Sequence, residues 1–256
     1  HGGCNEAVCQ PLHDGEGAGW TMRRVLHVGP CDSPGGMATV MRTLADHPPE
    51  GWEATLLSSH SNGSLWAKWR AYRTAHRELN RRCTDDSERP NVVHVHVAAD
   101  WSWRRKVRLV NVAKRHGVGV VVHLHSGRFD AWLDAGGARR VETVRTTLTS
   151  AGIQPVVLSE VWRQRLESRI GPLTAIVNPL PPSSVQSAHA RDEHHLLLLG
   201  RGDPVKGHAF AIEVAERLRQ THPSLRLTLT GWGEENRPWI DSPGWVSNEQ
   251  KASLLA

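Results

Sequence analysis

Two cations, Arg201 and Lys206, lie in a loop bounded by glycines at 200 and 207. A short apolar run, LLLL at 196–199, precedes the loop, and a helical pattern starts at His208. Strand, glycine-rich loop and helix together make an anion site. The helix start presents unpaired backbone N–H groups and about half a positive charge, to which the two side chains add two full charges. A diphosphate is the natural guest. The same arrangement recurs near the N-terminus. There, VLHV at 25–28 is followed by GPCDSPGG and by a helix from Met37 with Val40, Met41 and Leu44 on one face. Gly35 and Gly36 directly precede that helix, and their missing Cβ atoms let a ligand approach the backbone. Neither loop is a Walker loop, because Gly207 and His208 follow Lys206 where Ser or Thr is required, and GxGxxG is also absent. Both patterns also fit plain strand-to-helix turns.

A second chemical feature is a pair of HxH strands. NVVHVHVA at 91–98 puts His94 and His96 on one face and valines on the other, and VGVVVHLHS at 118–126 repeats this with His123 and His125. Four imidazoles on neighbouring strands offer a metal site. No Cys or carboxylate joins them in a recognisable spacing, so local hydrogen bonding of strand histidines is the simpler reading. In a parallel sheet His96 and His125 fall near the carboxyl edge, where open α/β folds bind ligands.

The elements that must position these residues alternate. Strands are expected at 25–28, 52–57, 91–98, 118–126, 155–159, 174–177, 196–199 and 225–230. Helices are expected from 37, at 65–82, from about 101 to 116, over 142–148, near 161–169, from 208 to 220 and from 248. In the helix from 208, Phe210, Val214 and Leu218 recur every four residues with Ala211 and Ala215 beside them. Strand–helix alternation predicts α/β architecture with two doubly wound, Rossmann-like parallel-sheet domains. Their predicted bounds are 22–180 and 195–256, joined by a Pro- and Ser-rich linker at 181–194. Residues 1–21 show neither period nor propensity and read as a disordered or non-native tail, with Met22 opening the patterned sequence.

The composition narrows the partners. The 256 residues carry a net charge of +5, which favours acidic partners such as nucleotide sugars, anionic lipid headgroups or nucleic acid. No apolar run reaches the ~20 residues needed to cross a bilayer, and no signal peptide opens the chain. Four scattered cysteines, at 4, 9, 31 and 83, without CxxC fit a reducing cytosol better than a disulfide framework. The helix at 65–82 is basic and amphipathic, with Leu65, Trp69, Tyr72 and Leu79 on one face. It suits packing on a sheet or, alternatively, an anionic membrane surface.

Several segments, in order, resemble glycosyltransferase family 4, a GT-B family: VGPCDSPGGM, NVVHVHVA, SWRRK, VVHLHSG, VVLSEVWRQRL, IVNP, LLLLGRGDPVKG, LTLTGWGEE and GWVSNEQKASLLA. The resemblance runs from Met22 to the end. It implies retaining transfer of a sugar from a nucleotide diphosphate sugar to a glycan or lipid-linked acceptor, of the kind used in surface polysaccharide synthesis. It further implies that Arg201 and Lys206 grip the donor diphosphate and that Gly35 and Gly36 let the N-terminal domain close on the same phosphates. His125 would stand near the donor sugar's reacting carbon, Gly231 and Gly233 would border the nucleoside, and Arg105 and Lys106 would face the acceptor. No cofactor or metal is required, and the location would be cytoplasmic, at or near the inner membrane face. The family's Glu-x7-Glu motif would fall beyond Ala256, so the resemblance implies a C-terminally truncated second domain. Three alternatives stand beside it: a nucleotide-sugar 2-epimerase of the same fold, a fragment that only binds a nucleotide, and a basic module binding nucleic acid. The last lacks any helix-turn-helix, zinc or RNP pattern.

Overall fold

The structure, a computed structural model, describes residues 22–180, 192–233 and 235–255. The expected tail at 1–21 and residues 181–191 of the expected linker lie outside the described residues. The chain divides into two compact units, His1–Pro181 and Pro182–Ala256.

The first unit alternates β1 (Arg23–Gly29), α1 (Gly36–Asp46), β2 (Trp52–Ser58), α2 (Leu65–Thr84), β3 (Val92–Val97), α3 (Trp101–Arg115) and β4 (Gly119–Leu124). It continues through α4 (Phe129–Ala135), α5 (Gly137–Leu148), β5 (Ile153–Val157), α6 (Glu160–Ile170) and β6 (Thr174–Ala175). All six strands are parallel, in the order β2-β1-β3-β4-β5-β6. The order reverses between β1 and β3, and at such a switch point a crevice opens outside the carboxyl ends of the strands. Alternation sorts the side chains. Leu26, Val28, Val93, Val95, Val120 and Val122 share a core with Ala75 and Leu79 of α2 and with Leu109 and Val112 of α3. Each such buried Leu or Val stabilises the unit by about 1.5–3 kcal/mol relative to exposure. The other face of the sheet carries His27, His94, His96 and His123, and Met41 of α1 lies against Gly29. Ser64 and Ser159 cap α2 and α6 by accepting the N–H groups of Ala67 and Trp162.

The second unit contains β7 (His195–Leu198), α7 (His208–Arg219), β8 (Arg226–Thr230), β9 (Ile240–Gly244) and α8 (Asn248–Leu255). Its parallel sheet has the order β7-β8-β9. Ile212, Ala215, Leu227 and Leu229 form its core.

Several local expectations differ from the structure. The seven-residue α4 is too short to show a period, yet Phe129 is fully buried and meets Trp103 edge-on. β9 is not among the expected strands because Pro243 interrupts it, and a proline is tolerated in an edge strand. In α7 the Phe210, Val214 and Leu218 stripe is not the core face: Phe210 is 69% exposed, whereas His208, Ile212 and Ala215 are buried. The helix carries two apolar stripes, and the one with the smaller side chains lets it approach β8 closely. The expected shared face of α2 also splits. Ala75, Leu79 and Cys83 are buried, while Leu65, Trp66 and Trp69 in its first turns face solvent.

Candidate functional site

In the second unit, the loops after β7 and β8 meet. A Cβ on Gly202 would come within 2.5 Å of the Gly231 carbonyl oxygen, and a Cβ on Gly231 would collide with the Gly200 carbonyl. Gly231 also has φ +66°, a conformation that disfavours other residues. Thr230 Oγ1 ties the two loops together by accepting the Gly200 N–H at 3.0 Å. The structure thus brings the expected diphosphate residues, Arg201 and Lys206, to the same sheet edge as the expected nucleoside residues, Gly231 and Gly233. Asp203 Oδ1 accepts the Val205 N–H at 3.1 Å and shapes a single 3-10 turn, residues Pro204–Lys206. Its carboxylate therefore serves as a turn cap. Gly207, left-handed at φ +76°, precedes α7 with no side-chain cap, and no acid stands in the first turn. Arg201 and Lys206 are exposed, and neither belongs to an ion pair among the described residues. The result is an uncapped helix start with two cations beside it, which suits a dianion.

His208, at the first position of α7, is not among the site residues that the sequence patterns single out. It is buried, its Nε2 lies 2.9 Å from the Thr230 carbonyl oxygen, and its ring stacks on Trp232 at 4.9 Å. The hydrogen bond assigns the proton to Nε2. Its one sequence signal is its place directly after the loop.

In the first unit the crevice side is built by the loops after β1, β3 and β4. Gly35, at φ +145°, caps α1 with backbone alone, and a Cβ added to Gly36 would meet nothing within 4 Å. Both are exposed, so the backbone is open to a ligand. Asp100, at the N-cap of α3, adopts φ 62° and ψ −129° without capping the helix with its side chain. A non-glycine residue there costs about 1–3 kcal/mol, and such strain gathers at functional sites. Asp100→Gly should therefore raise unfolding stability by about 1 kcal/mol, measured by urea titration. A loss of stability would mean the carboxylate supports the fold.

His125 follows β4. Its N–H donates to the Val97 carbonyl, its ring is partly buried, and its Nε2 lies 2.9 Å from Nδ1 of His96. Burial, and then the nearby His123, pushes its pKa down to about 3, so the ring is neutral near pH 7. Arg105 is partly buried, and its Nε has no partner among the described residues. Lys106 departs from its expected role at the acceptor. It is 3% exposed, and its ammonium donates to Ser59 Oγ and, at 3.4 Å, to the Val28 carbonyl oxygen. Burial, and then Arg105, pushes its pKa to about 7. The reason is helical phase: Trp103, Lys106, Leu109 and Val110 all occupy the buried face of α3.

The HxH strands assemble as the alternation predicts, and β1 adds a fifth ring. His27 is in register with His94, and His96 with His123. Three diagonal contacts link the rings: His27 Nδ1 to His96 Nε2 at 3.3 Å, His94 Nε2 to His123 Nδ1 at 3.2 Å and His96 Nδ1 to His125 Nε2 at 2.9 Å. A groove of about 690 Å³ between α2 and α3, lined in part by Tyr72, His76, Arg108 and Arg115, holds none of the expected site residues.

No family model matches the chain. Glycogen synthase of Mycobacterium tuberculosis, from two strains, is 30% identical over 173 residues, covering 64% of this chain and 41% of the relative. The chain thus spans about two fifths of the length of these curated relatives. Among solved structures, the glycotransferase of kitacinnamycin aligns with a TM-score of 0.45 at 15% identity, covering 86% of this chain and 70% of that one. A ugt transferase from Siraitia grosvenorii in complex with UDP aligns with a TM-score of 0.43 at 11% identity, covering 90% and 69%.

Proposed function

We propose that the chain forms part of a retaining glycosyltransferase of the GT-B type, similar to glycosyltransferase family 4. It moves a hexose from a nucleotide diphosphate sugar to a glycan or lipid-linked acceptor, in the manner of surface polysaccharide synthesis in the cytoplasm. The observation that carries this reading is the meeting of the loops that hold Arg201, Lys206 and Gly231 beside the uncapped start of α7. The sequence similarity to glycogen synthase supports it.

The mechanism follows from charge. Breaking the bond to the donor sugar leaves negative charge on the diphosphate. Arg201, Lys206 and the α7 start are in place before that charge develops, and preorganised stabilisation of this kind dominates many enzymes. The transfer step itself uses no metal. Neutral His125, beside the sugar, acts as a hydrogen-bonding group, and Arg105 is the cation left to meet an acceptor phosphate. Trp66, Trp69 and Trp101 are exposed, with Arg70, Arg73 and Arg104 over their rings, a surface suited to an anionic membrane. No helix among the described residues is long and apolar enough to cross one.

Calorimetric titration of the full chain with UDP, GDP and ADP tests the donor site. At least one should bind. Arg201→Ala and Lys206→Ala should each weaken it about 10- to 100-fold, the worth of a charge-assisted hydrogen bond. Melting should barely change, because both side chains are exposed. Unaltered affinity in both variants, or no binding of any of the three, overturns the site.

A further inference from the structure

The histidine face has a property that sugar transfer does not require. One ring nitrogen on each of His27, His94 and His96 lies within 4.8 Å of the other two, and His96, His123 and His125 form a second such triad. A tetrahedral zinc ion with Zn–N bonds of about 2.1 Å sets its ligand nitrogens about 3.4 Å apart. The His27 Nδ1 to His96 Nε2 separation of 3.3 Å already matches that edge. Among the described residues, one buried nitrogen of this face, His123 Nε2, lacks a hydrogen-bond partner, and it belongs to the second triad.

The geometry points to a transition-metal site of the zinc class on this sheet face, with His27, His94 and His96 as protein ligands and solvent at the fourth position. His27 and His96 are buried and held by sheet register, whereas His94 is partly buried. The first triad is preferred to the second because its His27–His96 edge of 3.3 Å fits the ion better than the 2.9 Å edge between His96 and His125.

The ion also has a consequence for His125, and this part rests on the sugar-transfer reading. Without a metal, the chain from His27 through His96 to His125 can run its N–H donors in either direction, because each neutral ring has one donor and one acceptor. Coordination through His96 Nε2 places the proton on Nδ1, which then donates to His125 Nε2 at 2.9 Å. His125 must then carry its own proton on Nδ1. The metal therefore acts as a positioning element that selects one tautomer of the ring beside the donor sugar.

The test reads ion binding alone, so its failure is distinct from failure of the donor site. Full-length protein stripped with a chelator is titrated with Zn²⁺ by calorimetry and with Co²⁺ by visible absorption. The expected result is one tight equivalent, with tetrahedral cobalt bands and no thiolate-to-cobalt charge transfer. His94→Gln, at the more exposed ligand, and His27→Gln should each weaken binding at least about 100-fold, while His123→Gln, which removes only the hydrogen-bond partner of His94, should cost clearly less than either. Cys4→Ser with Cys9→Ser should retain full binding. No binding by protein with native circular dichroism overturns the proposal. So does binding that survives both ligand variants, a thiolate band, or loss caused by His123→Gln but not by His27→Gln.

Discussion

Acidifying the protein from pH 7.5 to pH 4, with chelator present, will strip the first unit of most of its stability. Burial pushes the pKa of His27 and of His123 down to about 4, and those of His94 and His96 well below their ordinary value. On His94, His96 and His123 the charges that act are other imidazoles, which oppose protonation further. In the unfolded chain each ring titrates near pH 6.5. Between pH 6.5 and 4 the unfolded state therefore binds more protons than the folded state, so stability falls as pH falls. For His27 and His123 alone the loss by pH 4 is about 3 kcal/mol each, against a typical total of about 5–15 kcal/mol. Carboxylates act lower. Glu78, held down to about 2 by Arg81 and then Arg82, is partly exposed and contributes weakly, and only below its unfolded pKa. Urea midpoints followed by circular dichroism at pH 7.5, 6.5, 5.5 and 4.5 check this. A flat profile to pH 4.5 would mean that the folded rings accept protons, contrary to the buried cluster.

Much of this arrangement is legible in the order of the amino acids. The period of two in VVHVHV and VVVHLH decides which face each histidine takes, and the strand–helix alternation decides for parallel sheets, because helical crossovers leave little other choice. The same rule places His27. In VLHVG it stands opposite Leu26 and Val28, but a single histidine in a short run gives no repeat to notice. Lys106 shows what pattern leaves open. A cation in SWRRK reads as surface, and only the phase set by Trp103 and Leu109 turns it inward. The stripe in α7 misleads for the opposite reason, since two apolar stripes compete on one helix and the partner sheet decides between them. Contacts between loops after different strands lie beyond any local period. The approach of Gly202 to Gly231 joins residues that no spacing relates.

That approach supports the second large effect. Gly231→Ala will disable nucleotide binding by at least about 100-fold and lower the stability of the second unit by several kcal/mol. Two costs add. The left-handed backbone at φ +66° disfavours a side chain, and the new Cβ meets the Gly200 carbonyl oxygen and approaches Arg201 Cα to 2.9 Å. Both of those atoms are backbone, so no flexible side chain can yield, and relief requires moving the loop that holds Arg201. Thr230 Oγ1 to Gly200 N–H, at 3.0 Å, and His208 Nε2 to the Thr230 carbonyl, at 2.9 Å, would be strained with it. Gly233→Ala is the matched comparison, because a Cβ there meets nothing within 4 Å and its φ is ordinary. It should leave melting unchanged, so any loss of nucleotide affinity it causes would report a ligand against that backbone. Thermal unfolding and UDP, GDP and ADP titrations of both variants separate the two roles. Equal stability of the two variants would show that the loops after β7 and β8 do not rely on close backbone contact. The donor site would then have to be held by Arg201 and Lys206 without that support.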